Sequence, residues 1–145
     1  MDARDAPQRV RELPTWLLNR AAARATRIVA DRTAELGATR TTFSVLAALE
    51  EFGPLSQAEL GRRVGLDRKD VSSLVAVLER DGLVSRTTDA ADARRNSLEI
   101  TAAGTRMLER LDEAIALAQD DLLAALSVRD RAELARILAV LAAHG

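Results

Sequence analysis

The stretch that decides the fold is Asp67-Arg68-Lys69-Asp70-Val71-Ser72-Ser73-Leu74-Val75-Ala76-Val77-Leu78-Glu79-Arg80-Asp81-Gly82-Leu83-Val84-Ser85-Arg86-Thr87-Thr88. Val71, Leu74, Val75 and Leu78 follow an i, i+3, i+4, i+7 pattern, which predicts a helix burying that face and ending at Gly82. The opposite stripe, Arg68, Lys69, Ser72, Ser73 and Ala76, is small and polar, so the helix would enter a DNA major groove without obstruction. Leu83 to Thr88 is rich in β-branched residues and lacks a helical period, which reads as a strand. Residues 89 to 96 read as a loop, and Ser97 to Ile100 return as a second strand. Asp92-Ala93-Arg94-Arg95 tips this hairpin, where arginines can lie along or in the adjacent minor groove.

Upstream, Ser56-Gln57-Ala58-Glu59 has capping-box spacing: the serine oxygen would accept from the third helical amide while the glutamate reaches back to the cap. It opens a short helix, Gln57 to Val64. Gly65 supplies a tight turn before Asp67 caps the next helix, and two helices so joined form a helix-turn-helix. Ser56 and Gln57 stand at exposed helix-start amides, which suit a phosphate as well as a cap. Downstream, Thr101 caps a long helix with apolar positions Leu108, Leu111, Ile115, Ala118, Leu122 and Leu126. The expected order is therefore a winged helix-turn-helix over residues 40–100.

The remaining helices are expected at 14–36, ending at Gly37, and at about Thr41 to Phe52, burying Phe43, Leu46, Ala47 and Leu49 and stopping at Gly53-Pro54. A last helix, capped by Ser127, is expected to bury Leu134, Ile137, Leu138 and Leu141. Residues 1–12 are charged and read as frayed. The fold class is mainly α with a small β-hairpin wing, in a single domain of 145 residues. The helices at 14–36 and 101–144 carry apolar stripes more extensive than one winged domain would cover, which predicts a homodimer through them.

Composition narrows the function. The chain has no cysteine, so thiolate zinc sites, cysteine nucleophiles and disulfides are excluded. No convergent carboxylates, phosphate-cradling glycine loop or metal-ligand spacing appears, and the lone His144 lies near the C-terminus. We expect no catalytic residue, metal or cofactor, and hence no enzyme. No apolar leader is visible, and the longest apolar run, Ile137 to Ala143, is too short to span a bilayer; the expectation is a cytoplasmic protein without a membrane partner. Net charge is −1, but residues 60–96 carry eight basic and six acidic side chains whereas residues 97–145 carry five and eight. The basic excess falls on the predicted DNA-reading segment.

Two linked motifs resemble the multiple-antibiotic-resistance regulator (MarR) family of bacterial transcription factors. Leu78-Glu79-Arg80-Asp81-Gly82-Leu83-Val84-Ser85-Arg86 is similar to the family's Leu-Glu-x-x-Gly-Leu-Val-x-Arg. Asp92-x-Arg94 followed by Leu98-x-Ile100-Thr101-x-x-Gly104 is similar to its wing signature. The resemblance implies an obligate homodimer that reads a pseudo-palindromic operator in double-stranded DNA, most often as a repressor. It makes Arg94 the minor-groove arginine, with Arg95 beside it, and gives Asp92 the task of orienting Arg86 or Arg94. On the residues alone Trp16 reads first as an anchor in the dimer interface. In relatives that respond to small aromatic anions, the effector lies between the first and second helices and the winged domain, which nominates Trp16, Arg20 and Phe43 as the lining of a cleft for a small aromatic or lipophilic effector. Ser73 departs from the arginine that many relatives carry at mid-recognition helix. Together with Ser44, it sets the chain apart from the urate-responsive branch. The alternatives on sequence grounds are a winged-helix protein-interaction module and an effector-independent regulator.

Overall fold

The computed structural model describes residues 2–88 and 96–144. In chain order the described elements are α1 (Gln8–Arg11), α2 (Pro14–Ala34), α3 (Arg40–Phe52), α4 (Gln57–Val64), α5 (Arg68–Arg80), β1 (Val84–Thr88), β2 (Asn96–Ile100), α6 (Ala102–Leu122) and α7 (Val128–Ala142). The fold is mainly helical with one antiparallel hairpin, in which Val84 faces Ile100, Arg86 faces Leu98 and Thr88 faces Asn96.

Most helix starts follow from side-chain caps. Thr39 accepts from the amide of Thr42, and the Thr42 hydroxyl accepts from the amide of Thr39, so α3 begins at Arg40, one residue before its expected start. Asp67 Oδ1 accepts from the amide of Asp70 at 2.8 Å to open α5, and Ser127 accepts from the amide of Asp130 to open α7. Each such cap satisfies an amide that the first helical turn leaves without a carbonyl. The Ser56 cap differs from its predicted form. Its oxygen accepts from the amide of Glu59, but the Glu59 carboxylate takes the serine hydroxyl at 3.1 Å rather than reaching the serine backbone.

Other boundaries shift as well. The segment before Pro14, expected to be frayed, forms the single turn α1, and Ala6 is buried. The helix expected to run to Leu126 stops at Leu122 and passes through a turn.

The chain divides into two compact units. The central unit, Ala30–Ile115, holds the core. Val45, Leu46 and Leu49 from α3, Leu60 from α4, Val71, Val75 and Leu78 from α5, Val84 and Leu98 from the hairpin, and Leu108 and Leu111 from α6 form one apolar cluster. Leu55 adds a short edge to the hairpin, exchanging both backbone hydrogen bonds with Leu98 at 3.1 and 2.8 Å. Thr101 locks the return to α6: its hydroxyl donates to the Gly82 carbonyl at 2.6 Å and accepts from the amide of Gly104 at 3.0 Å. At Gly104 a Cβ would overlap the Leu83 carbonyl oxygen and Cγ1 of Ile100, so only glycine fits this crossing. The Leu-x-Ile-Thr-x-x-Gly run therefore has a packing cause.

The second unit joins Met1–Val29 with Ala116–Gly145. Within it the Arg24 guanidinium donates to the carbonyls of Leu122 and Asp121 at 3.0 and 3.3 Å, satisfying orphan carbonyls at the end of α6. Arg131 binds Asp120 and the Leu126 carbonyl, holding the turn into α7. Its apolar stripes, however, remain open. Ile137, Leu138 and Leu141, expected to be buried, are 42, 39 and 54% exposed, and Leu13, Leu17 and Leu117 are each about half exposed. The spacing identified the apolar face of α7; among the described residues none covers it. None of the described helices is long and apolar enough to cross a membrane.

Candidate nucleic-acid interface

The candidate interface is built on the α4-turn-α5 unit. Gly65 adopts a left-handed conformation (φ 71°, ψ 30°), which reverses the chain between the two helices, and the amide of Leu66 closes the turn on the Gly61 carbonyl at 3.0 Å. Burial of Val71, Val75 and Leu78 fixes the rotation of α5 about its axis. Arg68, Lys69, Ser72, Ser73 and Ala76 are consequently all exposed on the other side, as the spacing predicted, while Leu74 is only partly buried. This face combines two cations, two hydroxyls and a methyl group, which can meet phosphates, base-edge acceptors and a thymine methyl.

Ser56 and Gln57 open α4 beside this face. A cleft of about 620 Å³ runs past them, bordered by Arg62, Arg68, Arg86 and Asn96. The buried Oδ1 of Asn96 accepts no hydrogen bond among the described residues. Arg86, expected from the sequence to support the wing, lies on β1 and contacts Glu79 and Gln57: Nη2 donates to Glu79 Oε1 at 2.9 Å and to Gln57 Oε1 at 3.3 Å, while Nε donates to the same Glu79 oxygen at 3.2 Å. Asp92, the partner expected from sequence, lies outside the described residues, as do Arg94 and Arg95.

Two further interactions were missed by sequence reasoning. The Arg63 guanidinium stacks 3.7 Å above the Phe52 ring, clamping α4 to the end of α3. The Arg86 bridge is the other, and nothing in local spacing signals it, because Gln57 and Arg86 are 29 positions apart.

Of the candidate effector residues, Trp16 and Arg20 belong to the terminal unit, with the Arg20 guanidinium carbon 5.4 Å from the Trp16 ring centre. A shallow groove of about 450 Å³ on α2 is lined by Leu17, Arg20, Ala21, Ala23, Arg24 and Arg27. Phe43 belongs to the central unit and packs, half-buried, against its core. Among the described residues no group of three or more His, Asp or Glu side chains is arranged to hold a metal ion.

A model of the MarR family matches residues 36–95. The chain is 31% identical over 107 residues to the HTH-type transcriptional repressor NicR of Pseudomonas putida, covering 74% of this chain and 68% of that one. It is also 31% identical over 102 residues to a putative transcriptional regulatory protein for the hcr operon of Thauera aromatica, covering 70% of this chain. The chain spans 61% of that relative's length. It belongs to the MarR family. Among solved structures, the PcaV transcriptional regulator of Streptomyces coelicolor superposes with a TM-score of 0.77 at 31% identity, over 90% of this chain and 95% of that one. A second PcaV structure, in complex with its natural ligand, gives a TM-score of 0.73 at 28% identity. The fold is thus the MarR winged helix, and the chain is a DNA-binding transcriptional regulator of the MarR type.

Proposed function

We propose that the protein is a homodimeric repressor that occupies a pseudo-palindromic operator and leaves it on binding a small phenolic or lipophilic ligand. The observation that carries the DNA half is the division of α5 into a buried aliphatic face and an exposed face of Arg68, Lys69, Ser72 and Ser73. In this reading α5 lies in the major groove, Ser56 and Gln57 meet the backbone, and Arg94 and Arg95 follow the minor groove. Asp92 and Arg86 support the wing. The dimer is supported by the uncovered leucines and isoleucine of the terminal unit, an apolar surface that a stable monomer rarely leaves to water. The ligand half is supported by the Trp16–Arg20 pair, an aromatic face beside a guanidinium, which suits a planar anion. Relatives agree in kind, since NicR is a repressor and PcaV has a natural ligand.

Selection of bound duplexes from a random-sequence pool tests this reading. It is expected to return a two-fold site with half-sites about 10 base pairs centre to centre. Recovery of no preferred duplex would overturn it in favour of a protein-interaction module.

A further inference from the structure

Arginine donates hydrogen bonds and accepts none, whereas a glutamine amide presents an acceptor on one side and two donors on the other. The Arg86 guanidinium meets Gln57 through that amide's oxygen, Oε1, at 3.3 Å. With the oxygen accepting from Arg86, the amide nitrogen of Gln57, at the first residue of α4, keeps its two donors for a different partner. A donor presented there attracts a phosphate; an oxygen presented there would repel one. The charge of Arg86 is itself engaged, because Glu79 Oε1 sits 2.9 Å from Nη2 and 3.2 Å from Nε. Both side chains of that ion pair are about two-thirds shielded from solvent, at 31 and 32% exposure. Three elements, α4, α5 and β1, meet at this one guanidinium.

We propose that Arg86 is a positioning residue for DNA binding: it holds the side-chain amide of Gln57 with its donors outward to a backbone phosphate, and does not itself contact the DNA. The proposal rests on the DNA-reading function above. The fork of the guanidinium suits this task, since it serves the Glu79 carboxylate and the Gln57 amide together from fixed directions.

The test uses a duplex selected by the wild-type protein from a random pool, with affinities measured across a salt series. Arg86→Met and Gln57→Ala are each expected to weaken binding about tenfold, the scale of a hydrogen bond to a charged group. The double variant should be no weaker than either single one, because both remove the same interaction. The slope of log Kd against log salt should be unchanged in Arg86→Met, since no cation leaves a phosphate. Gln57→Glu separates this from a folding defect: it keeps and strengthens the Arg86 contact, so its melting temperature should not fall, yet it faces the phosphate with an acceptor and should bind more weakly than Gln57→Ala. A flattened salt slope in Arg86→Met, a double variant about a hundredfold weaker, or wild-type affinity in Gln57→Glu would each overturn the proposal. Failure of the wild-type protein to select any duplex would refute the DNA reading itself, and the proposal with it.

Discussion

Ser73 sits in the exposed face of α5 where many MarR relatives carry an arginine, and its hydroxyl offers one donor and two acceptor sites in place of a guanidinium fork. In the proposed reading, base discrimination by this helix rests on short contacts of Ser72, Ser73 and the Ala76 methyl. Replacing Ser73 with Ala is expected to change which bases are preferred, by about 1 to 3 kcal/mol for a direct contact, as read by selection from a random pool. Unaltered base preference would place Ser73 off the DNA. Gly104 makes the opposite kind of demand, one of space. Gly104→Ala forces a methyl group against the Leu83 carbonyl, and since that obstacle is backbone, we expect a loss of about 2 kcal/mol or more in chemical denaturation. At this scale the sequence was informative wherever the cause was local. The caps at Ser56, Asp67, Thr101 and Ser127 were all legible, because each involves residues three apart. The bridge from Arg86 to Glu79 and Gln57 was not, because a long-range ion pair leaves no periodic signal and Asp92 offered a nearer partner on paper.

Helices α6 and α7 show what periodicity does and does not specify. The stripe on α6 was read as one surface seeking a partner, but Leu108 and Leu111 lie fully inside the core of the central unit. Leu111→Asp should therefore unfold that unit, not merely separate subunits, because an unpaired buried carboxylate costs several kcal/mol. Loss of cooperative thermal unfolding in circular dichroism is the expected result. Helix α7 behaves differently. Its Ile137 and Leu141 are open to solvent within one chain, so Leu141→Glu should leave the central unit's fold intact while weakening self-association. The hydrophobic spacing located both apolar faces correctly; it could not state what covers them, since burial is set by tertiary neighbours that a linear pattern does not contain. Within the winged region the agreement is closer, because a helix-turn-helix packs against elements adjacent in sequence. The exposed stripe of α5 was legible residue by residue, whereas the tip of the wing lies outside the described residues.

The whole molecule combines a central winged-helix unit with a terminal unit whose leucines and isoleucine stay exposed in the single chain. Sedimentation at micromolar concentration should give twice the chain mass; a folded monomer would remove the two-fold symmetry from the account. Titration with salicylate-like anions should quench Trp16 fluorescence and weaken operator binding in parallel, through the neighbouring Arg20. If a broad panel of such ligands moves neither signal, the regulator is effector-independent. The central claim is that the cationic face of α5 lies against DNA, and the salt dependence of binding to a selected duplex tests it most directly. In a comparison of wild type with Arg68→Ala/Lys69→Ala, both confirmed folded by circular dichroism, the variant should bind more weakly. Its slope of log affinity against log salt should be shallower by about 0.9 for each phosphate left without its cation. Equal affinities with equal slopes would show that α5 does not touch the DNA backbone, and would contradict the account.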